Sequence, residues 1–184
     1  MAGLAGRVMP GHTAPMSALP DPICLDLPGP ETTTALARTM APRLGPGDVL
    51  ALHGPIGAGK THFARALILA RLAEYGLDEE VPSPTFTLVQ TYRAGDLEIW
   101  HADLYRLTHP DEATELGLTE AFEAALCLIE WPDRLGADLP PDALHLRLEP
   151  GDAPEARRAF LTGGREWAAR LTDIVGRFMA RAHV

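Results

Sequence analysis

Residues 54–61 read Gly54-Pro55-Ile56-Gly57-Ala58-Gly59-Lys60-Thr61, and this octet decides the fold. It satisfies the pattern G-x-x-x-x-G-K-[ST] at every defined position. The residues before it, Asp48-Val49-Leu50-Ala51-Leu52-His53, form a short apolar run that predicts a buried strand. The residues after it, from Lys60 to about Tyr75, place Phe63, Ala66, Leu67 and Ala70 at helical spacing, with Gly76 as the stop. A glycine-rich turn in that setting is a phosphate cradle. Glycines let the backbone curl so that N–H groups converge on an anion, and the helix that follows adds its positive end. Gly57, Ala58 and Gly59, together with Lys60, Thr61 and His62 at the head of the helix, are therefore the candidate nucleotide contacts. Lys60 suits the β- and γ-phosphates and Thr61 suits magnesium. Lys60 is the one lysine beside fifteen arginines, so the single compact ammonium stands where a phosphate nest uses it.

Such a loop works with an acid at the end of a neighbouring strand, which holds magnesium and its waters. Two segments qualify. Leu97-Glu98-Ile99-Trp100-His101-Ala102-Asp103 ends in Asp103, and Leu126-Cys127-Leu128-Ile129-Glu130 ends in Glu130. Lys60, Asp103 and Glu130 are the candidate catalytic groups, with Thr61 and Glu130 as metal candidates. Spacing alone leaves the roles of the two acids undivided. Ser83-Pro84-Thr85 adds two hydroxyls on a backbone stiffened by Pro82 and Pro84, the kind of loop that senses a γ-phosphate. His53 and His101 lack a metal-ligand spacing and read as core or surface residues. Trp131 reads as core or as a lid over the site.

Further out, Ile23–Leu27 predicts a strand. A helix is expected from about Thr33 to Leu44, with Glu31 and Thr32–Thr34 at its start and Gly45-Pro46-Gly47 at its end. Phe86–Tyr92 and Leu97–Ala102 predict a strand pair around Arg93–Asp96. Short helical pieces follow over Asp111–Phe122, then strands at Ala125–Glu130, Ala143–Leu148 and Ala156–Leu161, and a last amphipathic helix at Arg165–Ala182. Strands and helices alternate around one sheet, which is an α/β fold: a P-loop NTPase with a central mixed sheet flanked by helices in a single domain. That domain spans 23–184. Residues 1–22, rich in proline and glycine, read as a disordered N-terminal extension.

The chain has 184 residues, enough for one domain with a sizeable core. Its formal net charge of −9 argues against autonomous nucleic-acid binding, which needs a basic footprint. Residues 151–184 run the other way, with six arginines. They read as a solvated helix face, or as a contact for an acidic partner or a nucleic-acid phosphate. Cys24 and Cys127 form neither a disulfide framework nor a zinc motif, and a reducing compartment is the simplest context. No apolar run approaches the ~18 residues of a membrane span, and the first 20 residues lack a signal-peptide core. The expected location is the cytoplasm, with no membrane partner.

These segments together resemble the TsaE family, small P-loop ATPases of bacterial tRNA threonylcarbamoyladenosine biosynthesis. The resemblance rests on Gly54–Thr61, Ser83-Pro84-Thr85-Phe86-Thr87-Leu88-Val89, His101-Ala102-Asp103-Leu104-Tyr105-Arg106-Leu107, Glu115-Leu116-Gly117-Leu118 and the run Leu126–Leu135, which contains Ile129-Glu130-Trp131-Pro132. They occur in the family order over roughly residues 28–182. The resemblance implies magnesium-dependent ATP binding and hydrolysis, weak alone and stimulated by TsaB and TsaD homologues. That pair modifies adenosine 37 of tRNAs reading A-starting codons, so tRNA contact would be indirect. By motif match, Thr61 and Glu130 would hold magnesium, Asp103 would serve hydrolysis and Thr85 would lie in a switch-like loop. Glu31, Thr32 and Thr33 would help hold adenine, and Arg165 would face the nucleotide. Departures from the family pattern are Pro55 after the first glycine, His62 after the magnesium threonine, and Ala102 between His101 and Asp103. A small-molecule P-loop phosphotransferase using Arg134, Arg157 or Arg158, and a nucleotide-dependent adaptor without hydrolysis, are the alternatives.

Overall fold

The computed structural model describes residues 21–109 and 111–182. The extension expected over residues 1–22 lies outside the described residues except for Asp21 and Pro22, which carry no regular structure. Seven strands form one sheet: β1 (Ile23–Leu27), β2 (Val49–His53), β3 (Val89–Ala94), β4 (Leu97–Asp103), β5 (Leu126–Glu130), β6 (Leu144–Pro150) and β7 (Arg157–Thr162). Their spatial order is β1-β7-β6-β2-β5-β4-β3. The four central strands β6, β2, β5 and β4 run parallel, while β1, β7 and β3 pair antiparallel at the flanks, so the sheet is mixed as expected.

Alternation along the central strands splits the core into two layers. Leu50 and Leu52 of β2 and Leu126 and Leu128 of β5 face helices α1 (Pro30–Met40), α2 (Lys60–Ala73) and α5 (Arg165–Ala182). Val49, Cys127 and Ile129 face the opposite layer, built on α3 (Asp111–Glu115), α4 (Leu118–Ala124) and the 3₁₀ segment Pro132–Asp138. Both cysteines are free. Burial pushes the Cys127 thiol up to about 12, which keeps it protonated and inert.

Two elements start three residues away from where the sequence reading puts them. Helix α1 starts three residues earlier, because Pro30 takes the first helical position, where a missing N–H costs nothing. The Gly29 N–H donates to Thr32 Oγ1, and Thr32 Oγ1 returns a bond to the Gly29 carbonyl. Strand β3 starts at Val89 rather than Phe86. Leu88 takes a left-handed conformation (φ 66°), and its N–H turns back to the Pro84 carbonyl, so 84–88 is a turn that leaves Phe86 86% exposed. The last helix matches its expected span.

Because the central strands are parallel, their carboxyl ends share one edge, the place where open α/β sheets build their sites. The register sets Asp103 of β4 beside Glu130 of β5, and Glu130 beside Leu52 of β2, two residues before the glycine-rich loop.

Candidate functional site

The loop between β2 and α2 depends on its glycines at two points. At Gly54 (φ 135°) an added Cβ would collide with the Leu148 carbonyl oxygen. Gly59 (φ 103°) caps α2 from a left-handed conformation that side chains rarely accept. Between them the Ala58 N–H closes a turn onto the Pro55 carbonyl, so the proline of this variant loop serves as an acceptor.

Lys60, at the first position of α2, folds its side chain back across the loop. Its ammonium donates to the Gly54 and Pro55 carbonyls at 2.7 and 2.9 Å, and it lies 3.9 Å from the centre of the Trp131 ring. Burial lowers its pKa from the ordinary lysine value, opposed by the carboxylates of Glu130 and Asp103. The Thr61 hydroxyl donates to Glu130 Oε2 at 2.9 Å. The other carboxylate oxygen, Oε1, lies 2.9 Å from His101 Nε2, and both residues are buried. His101 Nδ1 has no hydrogen-bond partner among the described residues.

Asp103 ties the strand edge to the proline-stiffened loop. Its Oδ2 accepts from the Thr85 hydroxyl at 2.8 Å, and Thr85 in turn meets Ser83 Oγ at 2.9 Å. Its Oδ1 accepts the Tyr105 N–H at 3.1 Å. Trp131, half-buried, stacks at a tilt on Tyr105 with ring centres 4.9 Å apart. Its backbone is left-handed (φ 59°, ψ 50°), a conformation that stores on the order of 1–3 kcal/mol in a bulky residue. Trp131 is thus a wall over the lysine that also packs against the second core layer.

Lys60, Thr61, Thr85, Asp103, Glu130 and Trp131 line one cleft of about 220 Å³. Segments separated in the chain therefore converge there. A larger cavity, about 460 Å³, lies elsewhere, against His53, Asp133, His145 and Phe160, and none of those cleft residues lines it.

The remaining predicted positions divide. Strand β1 runs antiparallel to β7 with Leu27 opposite Arg157, so it delivers the head of α1 to the loop edge of the sheet. Glu31, Thr32 and Thr33 therefore lie on the loop side, although the Thr32 and Thr33 hydroxyls bond the Gly29 carbonyl. His62 does not point into the cleft: its Nε2 meets Thr34 Oγ1 at 3.0 Å and the Pro30 carbonyl at 3.2 Å, joining α2 to α1. Arg165 corrects the reading. β7 ends at Thr162 opposite His145, near the start of β6, and the Trp167 indole donates to the Asp142 carbonyl. The head of α5 thus stands at the sheet edge opposite the loop. Of the late arginines, Arg170 pairs with Asp48 and Arg177 with Asp173, which accounts for them structurally.

Sequence reading missed His101 as the partner of Glu130. The available signal was parity: His101 and Asp103 are two apart on a strand and so share a face.

The family model described as threonylcarbamoyl adenosine biosynthesis protein TsaE matches residues 27–159. The tRNA threonylcarbamoyladenosine biosynthesis protein TsaE of Rickettsia conorii is 40% identical over 136 residues, covering 74% of this chain and 76% of the relative. That of Bacillus subtilis is 36% identical over 139 residues, covering 75% and 84%. Among solved structures, Bacillus subtilis YdiB superposes with a TM-score of 0.67 at 27% identity, covering 89% of this chain and 97% of that one.

Proposed function

The chain belongs to the TsaE family, and from that premise we propose that it serves tRNA threonylcarbamoyladenosine biosynthesis as a magnesium-dependent ATPase. In this reading the glycine loop and Lys60 hold the triphosphate, and the head of α1 with Glu31, Thr32 and Thr33 lies toward the base. Turnover is slow alone and rises with TsaD and TsaB homologues. The transfer to adenosine 37 belongs to that pair, and this chain's acidic surface leaves tRNA contact to them. The expected location is the cytoplasm; among the described residues no helix is long and apolar enough to cross a membrane.

The single observation carrying the reading is the Thr61–Glu130 pair beside Lys60. A hydroxyl and a carboxylate 2.9 Å apart are two hard oxygen donors, the set magnesium takes when phosphates and waters complete its shell. When bound, the ion would neutralise charge developing on the phosphates. Glu130 is oriented for this by His101. Asp103, held by Thr85 and the Tyr105 N–H, would orient a water and report on the proline-stiffened loop. Lys60 supplies the fixed positive charge, and Trp131 and Tyr105 shield it from solvent.

A phosphotransferase would need arginines free to close over an acceptor. Arg157 is instead committed to main-chain carbonyls of the glycine loop. The deciding experiment is reconstitution of the tRNA modification with and without this chain and ATP, following labelled γ-phosphate. Release as inorganic phosphate together with repeated rounds of modification is expected. Transfer to a small molecule, or modification indifferent to this chain, would overturn the reading.

A further inference from the structure

Arg157 opens β7, facing Pro150 of β6 and Leu27 of β1, well outside the motif. Its guanidinium reaches over to the tip of the glycine loop. Nε donates to the Ala58 carbonyl at 3.1 Å and Nη2 to the Gly57 carbonyl at 3.2 Å. Nη1 donates to the Pro154 and Ala156 carbonyls at 2.9 and 2.7 Å. These four partners are all main-chain oxygens. A half-buried guanidinium satisfied by carbonyls is a brace, since each bond fixes a peptide plane rather than neutralising a charge.

The two loop carbonyls belong to consecutive peptide units. In a trans peptide the C=O and the N–H point to opposite sides. Holding the Gly57 carbonyl toward β7 sends the Ala58 N–H away from it, where it closes the loop onto the Pro55 carbonyl. Holding the Ala58 carbonyl toward β7 sends the Gly59 N–H the other way, away from the guanidinium. Gly57 and Gly59 both carry positive φ and would otherwise be among the freest hinges of the chain. An unbraced loop would have to order these planes when it meets an anion, and that ordering cost would appear as lost affinity.

We propose that Arg157 is a positioning residue for phosphate binding: from β7 it locks the Gly57–Ala58 and Ala58–Gly59 peptide planes so that the cup exists before nucleotide arrives. This rests on the reading of the cleft as the nucleotide site. It also places the brace on the strand that pairs with β1, the strand delivering the head of α1, so both sides of the cleft share one support.

The test compares the full chain with Arg157→Met, which keeps bulk and loses the donors, and Arg157→Lys, which keeps one donor group without the fork. Hydrogen exchange of the amides of residues 57–60 is measured without nucleotide, and KM and kcat are measured with magnesium-ATP. Exchange at the loop should rise about tenfold in the Met variant, and KM should rise by a similar factor with kcat within about threefold. The Lys variant should fall between. A merely structural role for Arg157 would lower the melting temperature of both variants and leave loop exchange and KM at their wild-type values, and that result overturns the proposal. If the Met variant fails to fold, the Lys variant decides on the same two readouts. If wild-type chain takes up no ATP, the nucleotide reading fails, while loop exchange still decides whether Arg157 orders the cup.

Discussion

Thr61 donates to Glu130 across 69 residues of chain, Oγ1 to Oε2 at 2.9 Å, and this contact joins the head of α2 to the end of β5. Neither residue could meet the other without the sheet order. β5 lies directly beside β2, so the residue ending β5 emerges next to the loop that β2 launches. Asp103, one strand further out, is registered against Glu130 but bonds Thr85 instead. Topology thus separates two acids that spacing left equivalent: one toward the helix head, one toward the proline-stiffened loop.

Glu130→Gln should keep the fold and much of the nucleotide affinity while losing metal-supported turnover. The amide keeps one oxygen that accepts from either Thr61 or His101 and presents N–H donors at the other contact, and it carries no charge for a cation. A loss in kcat on the order of 100-fold is expected, with magnesium dependence shifted to higher concentration. Steady-state phosphate release across a magnesium titration checks it. Turnover with a wild-type magnesium profile would remove Glu130 from the metal role.

Lys60→Ala should weaken ATP far more than adenosine. The ammonium now rests on the Gly54 and Pro55 carbonyls, close to where a phosphate would compete for it. Charge-assisted hydrogen bonds contribute about 1.5–3 kcal/mol, so affinity should fall roughly 10- to 150-fold. Calorimetric titration with ATP and with adenosine separates the phosphate term from the base term. Equal losses for both ligands would mean that the substitution had damaged the cleft as a whole.

Much of this architecture was legible in the sequence because the octet is a local signal flanked by strong local periodicity. The β2–loop–α2 unit and α5 follow from patterns within one element, and the structure keeps them. The errors arose where tertiary placement decides. The family resemblance sets Arg165 toward the nucleotide, yet the antiparallel direction of β7 carries it to the far edge of the sheet. Phe86 carried strand propensity, but Pro82 and Pro84 precede it and Leu88 turns left-handed, so pairing starts only at Val89. Arg157 lay in no motif, and the motif that holds His101 gave that residue no role, because each acts on a partner distant in the chain.

His101→Leu should cost stability and activity together, and the two can be told apart. The imidazole is fully buried against Glu130 Oε1. Removing it leaves one carboxylate oxygen without that partner, at about 1–3 kcal/mol. A melting shift should therefore accompany a 10- to 100-fold fall in turnover. His101→Gln, which restores a donor, should recover part of both. Recovery of stability with no recovery of turnover would show that the ring itself is needed.

Acid should destabilise the protein through the pair His53 and His145, neither of which lines the cleft. His53 Nε2 and His145 Nδ1 lie 2.9 Å apart, with rings stacked at 5.2 Å between centres. Burial is the main cause lowering both pKa values from 6.5. His53 is lowered further by His145, Arg147 and Lys60, while Asp133 opposes the shift in both rings. The folded state therefore binds protons less readily than the unfolded chain, and stability falls as pH drops through 6.5 toward the lowered values. Above 7.5 both rings are neutral in either state, and this contribution is flat. Melting temperatures measured from pH 8 to pH 5 should decline below about 6.5, and His145→Asn should flatten that decline by removing one titrating ring and the repulsion felt by His53. A decline equally steep in the variant would assign the acid sensitivity to groups outside this pair.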